Sequence, residues 1–192
     1  MILENVVSRD FAECRATYSK RDTMLYALGL GACGDPLDTE QLRFVYEQDL
    51  QAIPSMCSIL AHPPFWMKDP QLQLDFLKLV HAEQYVELSA RLPVEGEIIG
   101  RYRMTGIVDK GEGKGALMYF EKTLFTPDQA PLAKVKTTYF FRGDGGCGNW
   151  GETGAALPAV PEWAPQGAID HPSQLTAALI YRLSGDYNPL HA

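Results

Sequence analysis

The sequence predicts an α+β domain, an antiparallel sheet with a helix packed on one face. Three observations carry that expectation. Helix start and stop signals occupy the first third of the chain. Several strand-like stretches then follow one another through the middle. Turn chemistry joins those strands directly.

The elements follow in order. Ser19-Lys20-Arg21-Asp22 precedes Met24, Leu25, Ala27, Leu28 and Leu30, with Gly29, Gly31 and Gly34 closing the run. Ser19 suits an N-cap because Asp22 lies three residues on, and the glycines suit a stop. Asp35-Pro36-Leu37-Asp38 reads as a turn. Leu42 to Tyr46 is strand-like in composition. The apolar stretch from Pro54 to Leu60 suits a buried helix, stopped by His62-Pro63-Pro64, so the helix under the sheet is placed within Ile53 to Ala61.

Gln84 to Leu92 alternates, with Tyr85, Glu87, Ser89 and Arg91 on one face and Val86, Leu88, Ala90 and Leu92 on the other. Ile98 to Val108, Ala116 to Phe125 and Lys134 to Phe141 are the further strands. Asp109 to Gly115 reads as a hairpin connection, and Pro127-Asp128-Gln129 marks the next turn. Gly143 to Gly154 is glycine-rich and Leu157 to Pro172 proline-rich, which is linker composition. Ser173 to Leu183 then looks helical, with Leu175, Ala178, Leu179 and Leu183 as an apolar stripe. The expected organisation is a domain over 1–144, a linker over 145–172, and the start of a second unit over 173–192. Twenty residues after the linker are too few for a domain of ordinary size, so that unit is expected to be incomplete.

Composition narrows the function. The 192 residues carry 17 Lys+Arg against 24 Asp+Glu, a formal charge of −7. That balance argues against nucleic acid or an anionic membrane as partner, because either requires clustered cations. The longest uncharged stretch, Leu50 to Met67, is broken by Pro54, Pro63 and Pro64, so no membrane-spanning helix is expected. Glu4, Arg9 and Asp10 stand where a signal peptide needs its apolar run. Cys14, Cys33, Cys57 and Cys147 are far apart with no CxxC, which reads as reduced thiols in a cytoplasmic setting. No metal site is expected. Neither glycine cluster precedes Lys-Ser/Thr or has a strand–GxGxxG–helix context, so hairpin and loop duties explain them. His62 and His171 each precede proline in loops, and His81, beside Glu83 and Gln84, suits a local hydrogen bond.

The informative segment is the last one. Asp186 and His191 pair a carboxylate with an imidazole, a combination suited to acid–base work near neutral pH. On a continuous helix, five residues would set them roughly 140° apart at ~3.6 residues per turn. Asn188-Pro189 prevents that helix. Two readings stand on spacing alone: a bent loop that turns both side chains toward one point, or a polar loop with a proline turn. Gly185 leaves room for a substrate to approach the backbone, and Asn188 adds an amide.

Tyr181-Arg182-Leu183-Ser184-Gly185-Asp186-Tyr187-Asn188-Pro189-Leu190-His191 closely resembles the signature of the type-2, (R)-specific enoyl-CoA hydratases of the MaoC-like family. Upstream, Arg21-Asp22-Thr23, Leu42 to Glu47, Leu92-Pro93-Val94-Glu95-Gly96, Asp109-Lys110-Gly111 and Phe141-Arg142-Gly143 are similar to the same family. The resemblance runs over nearly the whole chain, and it points to the double hot-dog members. Two mild departures are His81-Ala82-Glu83-Gln84 for His-Gly-Glu-Gln and Gly145-Gly146-Cys147-Gly148 for Gly-Gly-Phe-Gly.

The resemblance implies a hot-dog fold, an antiparallel sheet wrapped around a helix, followed by a truncated second repeat. It implies hydration of a trans-2-enoyl-CoA to an (R)-3-hydroxyacyl-CoA by Asp186, His191 and Asn188, with Gly185 and Tyr187 binding substrate. Which of Asp186 and His191 is base and which acid stays open. The donors for the thioester oxygen are expected beyond Ala192, so this chain alone is expected to be inactive. No cofactor is implied; CoA is part of the acyl-CoA substrate. The implied partners are a second copy or another hot-dog subunit, and the implied compartment is cytoplasmic, with the peroxisome as the alternative. The rival reading is a non-catalytic acyl-CoA-binding or assembly module that needs a catalytic partner. A thioesterase on the same fold is a third.

Overall fold

A computed structural model describes residues 1–154, 158–170 and 173–185. Six antiparallel strands form one sheet: β1 (Cys14–Tyr18), β2 (Leu79–Leu88), β3 (Gly96–Asp109), β4 (Ala116–Phe125), β5 (Pro131–Phe141) and β6 (Trp150–Gly151). Their order is β1-β3-β4-β5-β2, and β6 pairs with β3 beyond the end of β1. β4 occupies the range expected of it, and β3 and β5 extend the expected strands by a few residues.

The alternation of β4 shows how the sheet holds its core. Ala116, Met118, Phe120 and Leu124 are buried on one face, in the phase that a pleated strand dictates. Two apolar clusters sit on that face. One gathers Met56, Cys57, Leu60, Ile98, Leu124 and Val135. The other gathers Met67, Leu72, Ile107, Met118, Phe120 and Phe141. Between Phe120 and Leu124, in the same phase, stands Lys122, which is 3% exposed.

Helices cover the apolar face. α1 (Leu3–Val7) brings Val6 into the second cluster. α2 (Lys20–Gly29) starts at Ser19 with a capping box: the Ser19 backbone N–H donates to Asp22 Oδ2 at 2.9 Å. Its Tyr26 packs into the first cluster, and the Tyr26 hydroxyl bonds Ser55 Oγ at 3.0 Å. The segment under the sheet is helical as expected, but it is a five-residue 3-10 helix, Pro54–Ser58. Proline at its first position removes a donor, and Pro63-Pro64 stop further extension.

Three local expectations are corrected. Leu42 to Tyr46 is not a strand: α3 (Thr39–Leu42) is followed by turns. Asp38 caps that helix, accepting from the Glu40 and Gln41 backbone N–H groups, and this local bonding outweighs the β-prone composition. The strand expected over Gln84 to Leu92 lies earlier, and as an edge strand it exposes most of its length. Ser89 and Ala90 turn in to the Leu132 carbonyl instead. The last helix is shorter than expected, α4 (Ala177–Arg182), and no helix among the described residues is long and apolar enough to cross a membrane. Residues 145–151 fold back on the sheet: the Asp109 carboxylate accepts from the backbone N–H groups of Gly111, Gly146 and Gly148, each at 2.8 Å.

Candidate functional site

Of the residues expected to carry chemistry, Gly185 is described, and Asp186, Tyr187, Asn188 and His191 lie outside the described residues. Gly185 is exposed, three residues past the end of α4, with φ +108°, a conformation that suits glycine. Its N–H donates to the Arg182 carbonyl at 3.0 Å, closing the turn. α4 is anchored on α2: Ile180 Cγ2 lies 3.4 Å from where a Cβ on Gly29 would stand, and Tyr181 packs against the first cluster. The anchoring face is therefore Ile180 and Tyr181, while Leu175, Leu179 and Leu183 of the expected stripe are exposed.

The second concave feature escaped the sequence reading. A narrow cleft opens between the two apolar clusters, floored by Tyr102, Lys122, Thr137 and Tyr139 and roofed by Ser58, His62, Pro63 and Trp66. Lys122 Nζ donates to the Ser58 carbonyl at 2.9 Å and the Leu60 carbonyl at 2.8 Å. It thereby binds the sheet to the roof just where the 3-10 helix ends. Burial pulls the Lys122 ammonium down to about 7, against an opposing effect of the Cys57 and Cys14 thiols. Beside it the Tyr102 hydroxyl donates to the Ala61 carbonyl at 2.8 Å, and burial pushes that phenol well above its ordinary range. A signal for this cleft was present: Lys122 falls in the inward phase of an otherwise apolar alternation.

The family-like segments upstream prove to be braces. Tyr18 donates its hydroxyl to the Pro93 carbonyl, and Thr23 Oγ1 donates to the Val94 carbonyl at 2.7 Å. These bonds tie β1 and α2 to the loop before β3. Thr138 Oγ1 meets Glu83 at 2.8 Å and Thr137 Oγ1 meets Gln84 at 3.0 Å, locking β2 on β5. His81 Nε2 lies 3.1 Å from the Glu83 carbonyl, the local bond expected of it.

A sheet of this order wrapped around a short helix is the hot-dog arrangement. The structure matches that of a MaoC-like dehydratase from Phytophthora capsici with a TM-score of 0.79 and 28% identity, covering 100% of this chain and 66% of that one. Residues 16–143 match the family described as the MFE-2 hydratase 2 N-terminal domain, and the chain belongs to that family. Among curated relatives, "Enoyl-CoA hydratase 2, peroxisomal" of Arabidopsis thaliana is 35% identical over 97% of this chain and 65% of its own length. "Enoyl-CoA hydratase ChsH3" of Mycobacterium tuberculosis is 35% identical over 92% of this chain and 62% of its own length. The chain thus spans less than two thirds of the relatives it matches.

Proposed function

We propose that the protein hydrates trans-2-enoyl-CoA to (R)-3-hydroxyacyl-CoA. The observation that carries this is the 35% identity to an enoyl-CoA hydratase 2 over 97% of the chain. The Tyr181 to His191 signature supports it. In this reading Asp186 and His191 hold one water, which attacks C3 of the enoyl group while the pair delivers a proton to C2. Asn188 orients the pair or the water, and Gly185 and Tyr187 meet the substrate. The thioester oxygen gains negative charge in the transition state and requires preorganised N–H donors. We place these donors in the further length that the relatives have. In the same reading residues 173–192 begin the catalytic repeat, and residues 1–144 form the hot-dog that stands beside it. A second hot-dog, from the same or another chain, completes the assembly. The compartment is the cytoplasm, with the peroxisome as the alternative named for the Arabidopsis relative.

One observation favours the non-catalytic module: the matched family region, 16–143, lies wholly upstream of Asp186. A single assay separates the readings. A chain extended to its relatives' length is mixed with crotonyl-CoA, and the loss of enoyl absorbance is followed beside the release of free thiol. Absorbance loss without thiol supports hydration. Thiol release points to a thioesterase, and binding with neither change points to the module.

A further inference from the structure

Lys122 has an amine that the proposed hydration leaves unused. Its Nζ meets two acceptors, the Ser58 carbonyl at 2.9 Å and the Leu60 carbonyl at 2.8 Å. A neutral amine has two N–H bonds to give and one lone pair left over, whereas an ammonium has three N–H bonds and needs a third acceptor. No carboxylate supplies one: the ion pairs among the described residues all use other cations. The remaining close neighbour is the face of Tyr102, with its ring centre 5.8 Å from Nζ. The hydrogen-bond count therefore fits the free base. Lys122 also forms part of the cleft wall with Thr137 and His62, so a reagent reaches it through an opening. At 3% exposure, only a small group can do so.

We propose that Lys122 Nζ is a nucleophile that accepts short acyl groups from thioesters. The lone pair forms an N–C bond to the thioester carbonyl carbon, and the tetrahedral intermediate collapses with breakage of the C–S bond. The thiolate leaves and takes up the proton lost by the amine, so the products are an amide and a free thiol. Burial supports this chemistry: with the pKa of Lys122 near 7, much of the amine is free base at neutral pH. An exposed lysine is free base only about once in 10³ at that pH. The groups around Nζ that could modify this balance are the Cys57 thiol from the 3-10 helix, the Cys14 thiol from β1, Tyr102, Tyr139 and His62. The inference rests on the hydratase reading only for the natural source of the thioester. Acylation has a structural consequence, because an amide keeps one N–H and cannot hold both the Ser58 and Leu60 carbonyls.

The test uses S-acetyl-N-acetylcysteamine, a thioester without the CoA nucleotide, on the whole 192-residue chain at pH 7. Peptide mass spectrometry reads acetylation at each lysine over time. The expected result is Lys122 acetylated at least tenfold faster than the median lysine in the folded chain, and no faster than the others in urea. A rate at or below that median overturns the inference. Lys122→Arg keeps donors for the two carbonyls and removes the nucleophile, so the fast phase of thiol release should vanish; its persistence overturns the inference too. Enoyl-CoA hydration is a separate readout: its absence alongside fast Lys122 labelling removes the hydratase reading and leaves this one standing.

Discussion

From Leu79 to Gly151 the chain pays back its ordering in ladder bonds and buried side chains, whereas from Glu152 to Gly185 it does little of either. The first stretch holds five of the six strands and most of both apolar clusters. In the second, Val160, Trp163, Ile169 and Leu175 stand exposed, and α4 is the only regular element among the described residues. Stability and the proposed chemistry are thus carried by different parts of the molecule. The sheet body is fixed by packing, and the segment that brings Asp186 and His191 is attached to it through α4 on α2. If that division holds, substitutions in one region should move activity without stability, and those in the other should do the reverse.

The largest expected effect tests the first half of that statement. In a chain extended to its relatives' length, Asp186→Asn and His191→Gln should each lower hydration by about 10²-fold or more, the size associated with a lost acid–base group. Thermal unfolding should be unchanged. Because the two act on one water, the double variant should lose far less than the product of the single losses. Full activity in either single variant would take the pair out of the mechanism. A large loss of stability would instead make this segment part of the body.

Lys122→Met tests the other half. It strands the Leu60 carbonyl, which is buried, and the partly buried Ser58 carbonyl, at a cost of about 2–3 kcal/mol in chemical denaturation. The pH dependence has a definite sign. The pKa of Lys122 is lowered in the folded state to about 7 from an ordinary 10.5, so between those values the unfolded chain binds more protons. Stability contributed by this group must therefore rise with pH from about 7 upward, and below pH 7 it is at its least. The difference between wild type and Lys122→Met should widen from pH 7 to 9. A flat difference would mean the amine stays charged.

What could be read from the sequence follows the same division. Strands β3 to β5 were legible because each has one buried face, so period-two alternation and turn residues agree. The α2 start was legible because Ser19 and Asp22 cap locally. Leu42 to Tyr46 misled because β-prone composition says nothing of a missing strand partner, and Asp38 had already committed the backbone to a helix. Lys122 was legible in phase but unnoticed, since its meaning depends on two carbonyls more than sixty residues earlier. Asp186 to His191 was legible only as a motif, and the described residues bring the chain as far as Gly185.

Gly100→Ala probes how tightly the body is built. A Cβ there would stand 2.6 Å from the Ala61 carbonyl oxygen and 2.9 Å from Ala61 Cβ. The Tyr102 hydroxyl already holds that same carbonyl at 2.8 Å, so neither partner can retreat cheaply. The expected cost is about 1–3 kcal/mol. A neutral result in urea titration would show that the roof over the first cluster is loose. Asp22→Ala comes next, at about 1 kcal/mol for a lost cap. The Ser19 side chain and backbone hold the Asp22 carboxyl below its ordinary value. That contribution is present above the unfolded pKa and disappears as the pH falls through the lowered one, so Asp22→Ala should match wild type in acid.

The smallest effect on stability belongs to the exposed stripe of α4. Leu179 and Leu183 are 54% and 59% exposed, while Ile180 from the same helix packs on Gly29. Replacing Leu175, Leu179 and Leu183 together by serine removes little buried area, so unfolding should shift by under about 0.5 kcal/mol per site. Ile180→Ser should cost clearly more, because it removes the contact that anchors α4. Association should respond in the opposite order. An exposed apolar stripe favours self-contact, so the wild-type chain should scatter light as oligomers or aggregates, and the triple serine variant should shift toward monomer. If the triple variant unfolds as readily as Ile180→Ser, the stripe is packed against something in the folded chain. The sharp line between body and appended segment would then have to be redrawn to include it.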